Sequence, residues 1–89
     1  MRITVIRTGG FGGLARRATL DTAGRADAAE LDSLAKTALA EGHREERPVG
    51  VPDGFHYEIE ADGETSYCAD PRLTEAQRTL ITRVLKEGA

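Results

Sequence analysis

Apolar residues recur at every second position at the start of the chain. Ile3 and Val5 point one way and Arg2 and Thr4 the other, the alternation of a half-buried strand. Ala18 and Leu20 alternate in the same way with Arg17, Thr19 and Asp21, so a second strand is expected there, although "LARRATL" is also compatible with a helix. The glycines between them, Gly9–Gly13, then form a hairpin loop. After Gly24 the period changes. Leu31, Leu34, Ala35, Ala38 and Leu39 make an i, i+3, i+4, i+7, i+8 stripe that predicts a helix ending at Gly42, and Asp27 with Glu30 gives it a capping-box-like start.

Residues 43–54, "HREERPVGVPDG", are polar and rich in Pro and Gly, which marks an exposed connection. Alternation then returns. Phe55, Tyr57 and Ile59 face one side and His56, Glu58 and Glu60 the other, as far as Asp62-Gly63, whose tolerance of positive φ suits a two-residue type I′ hairpin. That register sets Cys68 beside Tyr57 and Ser66 beside Ile59. Thr74 and Gln77 suggest a second capping box, with Leu80, Ile81, Val84 and Leu85 as the buried stripe and Gly88 at the end; Asp70-Pro71 offers a competing, earlier start. The order is ββαββα. It predicts a single small α+β domain over residues 1–89, with a four-stranded, mostly antiparallel sheet and two helices on one face.

Composition narrows the picture further. Eighty-nine residues with 39% apolar and 30% charged residues, but two Phe, two Tyr and no Trp, describe a globular chain with a small core. The net charge of −3 hides an asymmetry: residues 1–25 hold five arginines (Arg2, Arg7, Arg16, Arg17 and Arg25) against Asp21 alone, and the remainder is acidic. A basic patch of this kind steers an acidic partner or is a solvated face. The lone Cys68 excludes an internal disulfide, and no apolar run has the length of a signal peptide or membrane span. The expectation is a cytoplasmic chain with no membrane association.

The glycine segment raises the question of a phosphate cradle. Gly10-Phe11-Gly12-Gly13-Leu14-Ala15 fits the G-x-G-x-x-A form locally. Its context does not, because that fingerprint needs a helix aimed at the pyrophosphate and then a parallel strand, whereas "ARRATLDTAG" alternates like a strand. Phe11 either folds back over the sheet edge or stands in a recognition loop flanked by Arg7, Arg16 and Arg17.

Catalytic chemistry is not apparent. His43, His56 and Cys68 have no ligand spacing for a metal, Cys68 falls on the apolar face, and neither Ser33 nor Ser66 has a recognisable His partner. A nucleic-acid role would rest on Tyr67 and Phe11 in an acidic chain, which is a small footprint. No catalytic residue, metal or cofactor is expected, and a protein-binding module is.

The sequence of a charged strand, "RTGGFGGLARR", a strand ending "LDT", the "AAELDSLAKTA" helix, "PDGFHYEIEADGE" and a terminal "LTEAQRTLITRVL" helix resembles the emfourin family, small bacterial protein inhibitors of protealysin, a thermolysin-like zinc metallopeptidase. Gly9-Gly10-Phe11 and Asp53…Phe55…Tyr57 are its most specific pieces. The resemblance implies a non-enzymatic inhibitor that blocks the active-site cleft of a thermolysin-like metallopeptidase. Enzymes of that kind favour a bulky apolar residue just after the scissile bond, and Gly13-Leu14 would present one. The residues expected at the partner surface are therefore Gly10, Phe11, Gly12, Gly13, Leu14, Arg16, Arg17, Asp53 and Phe55. A general protein-interaction module with another partner is the alternative, with nucleic-acid binding behind it.

Overall fold

The computed structural model describes residues 1–9, 15–45 and 54–89. Six elements follow in the expected order: β1 (Arg2–Gly9), β2 (Arg16–Asp21), α1 (Ala28–Glu41), β3 (Phe55–Ala61), β4 (Glu64–Ala69) and α2 (Glu75–Glu87). The strands form one sheet in the order β2-β1-β3-β4, and every neighbouring pair is antiparallel. Residues 16–21 are thus a strand, which excludes the helical alternative for "LARRATL" in that part.

The period-2 pattern decides which face is covered. Val5 pairs with Ala18 on one side and Ile59 on the other, Ile3 pairs with Leu20 and Ala61, and Tyr57 pairs with Cys68. These residues share one face and are buried with Leu31, Ala35, Ala38 and Leu39 of α1 and Leu80, Ile81, Val84 and Leu85 of α2 in a single core. The helices pack on each other, α1 over β3 and β4 and α2 over β2 and β1. The opposite face is polar, and the paired hydroxyls of Thr4 and Thr19 meet there at 2.9 Å.

Local signals are used in different ways. Asp62 (φ 52°) and Gly63 (φ 75°) make the expected two-residue turn, with Ala61 opposite Glu64. The capping box of α2 forms as read: the Gln77 N–H donates to Thr74 Oγ1 at 3.1 Å and the Thr74 N–H to Gln77 Oε1 at 3.0 Å. The competing start at Asp70-Pro71 is not used, since the helix begins at Glu75. The first capping box does not form. Asp27 is the N-cap of α1 but makes no side-chain cap bond, and Glu30 is exposed.

Arginines claim the Asp27 carboxylate instead. Arg25 donates to it at 2.8 Å and Arg83 at 2.6 Å, and the same two arginines bind Glu87 at 2.6 Å each. The four side chains form a closed ring that ties the start of α1 to the end of α2. Hydrogen bonding from Arg25, then from Arg83, holds Asp27 down at about 2; Arg83 and Arg25 lower Glu87 in the same way. A carboxylate depressed in the folded state contributes stability that is fully present above its unfolded pKa, about 3.9 for Asp, and is lost as the pH falls through the folded value. The denaturation midpoint should therefore drop between about pH 5 and pH 2, and Asp27→Asn should flatten that drop. Parallel profiles for the two proteins would show that the ring carries no linkage.

Glycine ends both helices for a reason other than left-handed backbone, because Gly42 and Gly88 are extended at φ −88° and −77°. A Cβ on Gly42 would lie 2.5 Å from Ser66 Oγ, and one on Gly88 2.6 Å from the Val84 carbonyl oxygen and 2.8 Å from that of Thr19. Close approach matters because each helix exit crosses onto a sheet edge. His43 and Tyr67 exchange two backbone hydrogen bonds at 2.8 Å on β4, and Ala89 and Thr19 exchange two at 3.0 Å on β2. Both edges are blunted at their centres. Gly42→Ala should cost about 1–3 kcal/mol by overpacking this exit, read as a lower urea midpoint; an unchanged midpoint would mean that the exit moves freely off β4.

Candidate functional site

One end of the sheet gathers the chain's irregular connections. β1 ends at Gly9, which pairs with Phe55 at the start of β3, while β2 begins at Arg16 and β4 ends at Ala69. Gly9 has φ 93°, and a Cβ there would fall 2.8 Å from the Gly54 carbonyl oxygen, so both backbone conformation and crowding demand glycine. Gly9, which precedes residues 10–14, and Gly54, which follows residues 46–53, therefore lie side by side. Gly10, Phe11, Gly12, Gly13, Leu14 and Asp53, all expected at the partner surface, lie outside the described residues.

Phe55 is half-buried at this end. The Arg7 guanidinium lies over its ring, with Cζ 4.5 Å from the centroid, and Tyr57 stands behind at 6.3 Å between centroids and 53° between ring planes. Sequence reading treated Arg7 only as part of a basic flank. The signal for more was present, because Arg7 continues the Ile3, Val5 alternation and so belongs to the covered face.

Arg16 and Arg17 are both exposed but are not brought together. Arg16 pairs with Arg7 and shares its face, and its guanidinium donates to the Leu85 carbonyl, where a cation also suits the end of α2. Arg17 pairs with Ile6 on the opposite face. Arg25 is committed to the Asp27–Glu87 ring. The five arginines of the first quarter thus spread over both faces and the ring rather than forming one patch. On the open face, Glu58 stands between Ile6 and Tyr67, and Glu60 between Thr4 and Thr65. That mixture of charges is not the basic stripe with aromatics that a nucleic-acid platform uses.

Cys68 and Tyr57 are buried beneath this end. Burial pushes the Cys68 thiol up to about 11, with Asp70 adding to the effect, so it stays protonated and poorly nucleophilic near neutrality. Burial raises Tyr57 as well, Asp70 reinforcing the shift and Arg7 opposing it. Among the described residues, no group of three or more His, Cys, Asp or Glu is placed to hold a metal ion. No helix among them is long and apolar enough to cross a membrane.

The Emfourin family model matches residues 5–85, nearly the whole chain, and the chain belongs to that family. No curated protein and no solved structure matches it.

Proposed function

We propose that this member of the Emfourin family is a protein inhibitor of a thermolysin-like, protealysin-type zinc metallopeptidase and occludes the enzyme's active-site cleft. The observation that carries the proposal is family membership across residues 5–85, since the family implies protease inhibition. The chain acts as a binding protein without catalysis of its own, in the bacterial cytoplasm. Residues 10–14 supply the cleft-filling segment, with Phe11 and Leu14 as apolar anchors and Arg17, Asp53 and Phe55 at the margin.

The scaffold suits that task physically. A segment anchored at Gly9 and Arg16 on two paired strands loses less entropy on binding than a free peptide does. The rigid base comes from the sheet and its buried helices, so the binding segment is free to vary without disturbing the core. Leu14 after Gly13 offers a bulky apolar side chain following a small residue, the pattern that thermolysin-like enzymes accept across the scissile bond.

Cleft occlusion is tested by competition. Mixed with protealysin, the protein should elute as a stoichiometric complex on size exclusion, and a hydroxamate that occupies the catalytic zinc should displace it. A complex that survives saturating hydroxamate, and that hydrolyses substrate at the free enzyme's rate when no hydroxamate is added, would instead support an interaction module that binds elsewhere.

A further inference from the structure

We propose that Arg16 is a positioning residue for inhibition: it clamps the start of β2 to the C-terminal turn of α2 and so fixes where the partner-binding segment rejoins the sheet. The inference rests on the proposed role of residues 10–14 as that segment. The strands on its two sides are held differently. β1 is an interior strand, and beyond its last pairing with β2 it continues through Thr8 and Gly9, which pair with His56 and Phe55 of β3. β2 lies at the edge of the sheet, and its ladder with β1 ends at the pair Arg7–Arg16. The end of an edge strand is where local opening costs least, and like charges directly opposite each other weaken this last rung further.

Contacts from α2 offset that weakness. In a continuing helix the Leu85 carbonyl would accept the N–H of Ala89, four residues on. Here the Ala89 N–H donates to the Thr19 carbonyl of β2 at 3.0 Å, and the Arg16 guanidinium donates to Leu85 in its place. A cation there also meets the negative end of the helix. The two charges of the last rung are thereby given separate acceptors, since the Arg7 guanidinium lies over the Phe55 ring. The anchor is firm: Val84 and Leu85 lie in the core, and Glu87 is bound by Arg25 and Arg83. The chain is thus held two residues past Leu14, and a fixed exit lowers the ordering entropy that binding would otherwise cost.

The test uses the full chain with protealysin as the probe peptidase. Arg16→Gln should weaken inhibition about tenfold, the scale of one hydrogen bond made by a charged group. Arg16→Lys should recover most of that loss, because a cationic donor at a helix C-terminus does not need the guanidinium fork. In the free Arg16→Gln protein, amide hydrogen exchange at Ala18 should quicken while that at Ile59, in the centre of the sheet, stays as it was. Wild-type inhibition by Arg16→Gln, even with a lowered melting temperature, would overturn the positioning role and leave the inhibitory function standing. Weakened inhibition with unaltered exchange at Ala18 would also overturn it and put Arg16 in direct contact with the partner, as would an Arg16→Lys variant no better than Arg16→Gln. Failure of the unaltered protein to inhibit would overturn the inhibitory function and the positioning role together.

Discussion

Leu80→Ala is expected to destabilise the protein by about 2–5 kcal/mol, a large share of the roughly 5–15 kcal/mol that holds a small domain folded. Leu80 has no solvent exposure and lies in the core with Leu31, Ile3 and Val5. Truncation there removes buried methyl groups and leaves a cavity, because α2 is held at both ends. Its N-terminus is fixed by the Thr74–Gln77 box and by Gln77 Nε2 donating to the Ala38 carbonyl at 3.4 Å. Its C-terminus is fixed by the ion-pair ring and by Ala89 on β2. A helix pinned in this way cannot settle into the gap. Thr79→Ala, at the exposed neighbouring position, should change stability by less than about 0.5 kcal/mol. Urea unfolding of both variants checks the pair, and equal midpoints would mean that α2 does not pack as described.

The second large effect concerns inhibition rather than folding. Phe11→Ala and Leu14→Ala should each weaken inhibition of a thermolysin-like peptidase tenfold or more, since buried interface anchors typically contribute about 2 kcal/mol or more. Melting temperatures should be nearly unchanged. If Phe11 instead covers the edge of the sheet, its truncation will lower the melting temperature and leave inhibition by the folded fraction intact. The charged flank is best probed with Arg17→Glu alone, because Arg16 also serves the end of α2. A steering role for Arg17 predicts slower association and weaker salt dependence, with little change in dissociation. Full inhibition by the Phe11, Leu14 double variant would remove residues 10–14 from the interface and direct attention to Val49–Phe55.

What could be read from the sequence follows the range of the interactions involved. Strand faces were legible because alternation is a local property: Val5, Ala18 and Ile59 meet where their parity places them. The Asp62-Gly63 turn and the Thr74–Gln77 box were legible because all their groups lie within a few residues. Asp27 was misread for the opposite reason. Its competing partner Arg83 is 56 residues away, and a charged donor outbids the helix's own N–H groups for the carboxylate. The purpose of Gly42 and Gly88 was likewise hidden, since it depends on which strands form the sheet edges.

The candidate site divides along the same line. Phe55 at the start of β3 was placed by alternation, as was Arg17 on the face opposite Ala18 and Leu20, and the same parity puts Arg16 on the covered side. The stacking of Arg7 on Phe55 joins residues far apart in sequence and emerges only with the β1–β3 register. Gly10–Leu14 and Asp53 lie outside the described residues, so their roles belong to the proposed function and not to the observed geometry.

The most direct measurement is a steady-state titration of protealysin with the purified protein, following hydrolysis of a small peptide substrate. The expected result is activity that falls toward zero near one equivalent, with an apparent inhibition constant that rises in proportion to substrate concentration, as exclusion from the cleft requires. Undiminished hydrolysis at a large molar excess of the folded protein would contradict the account.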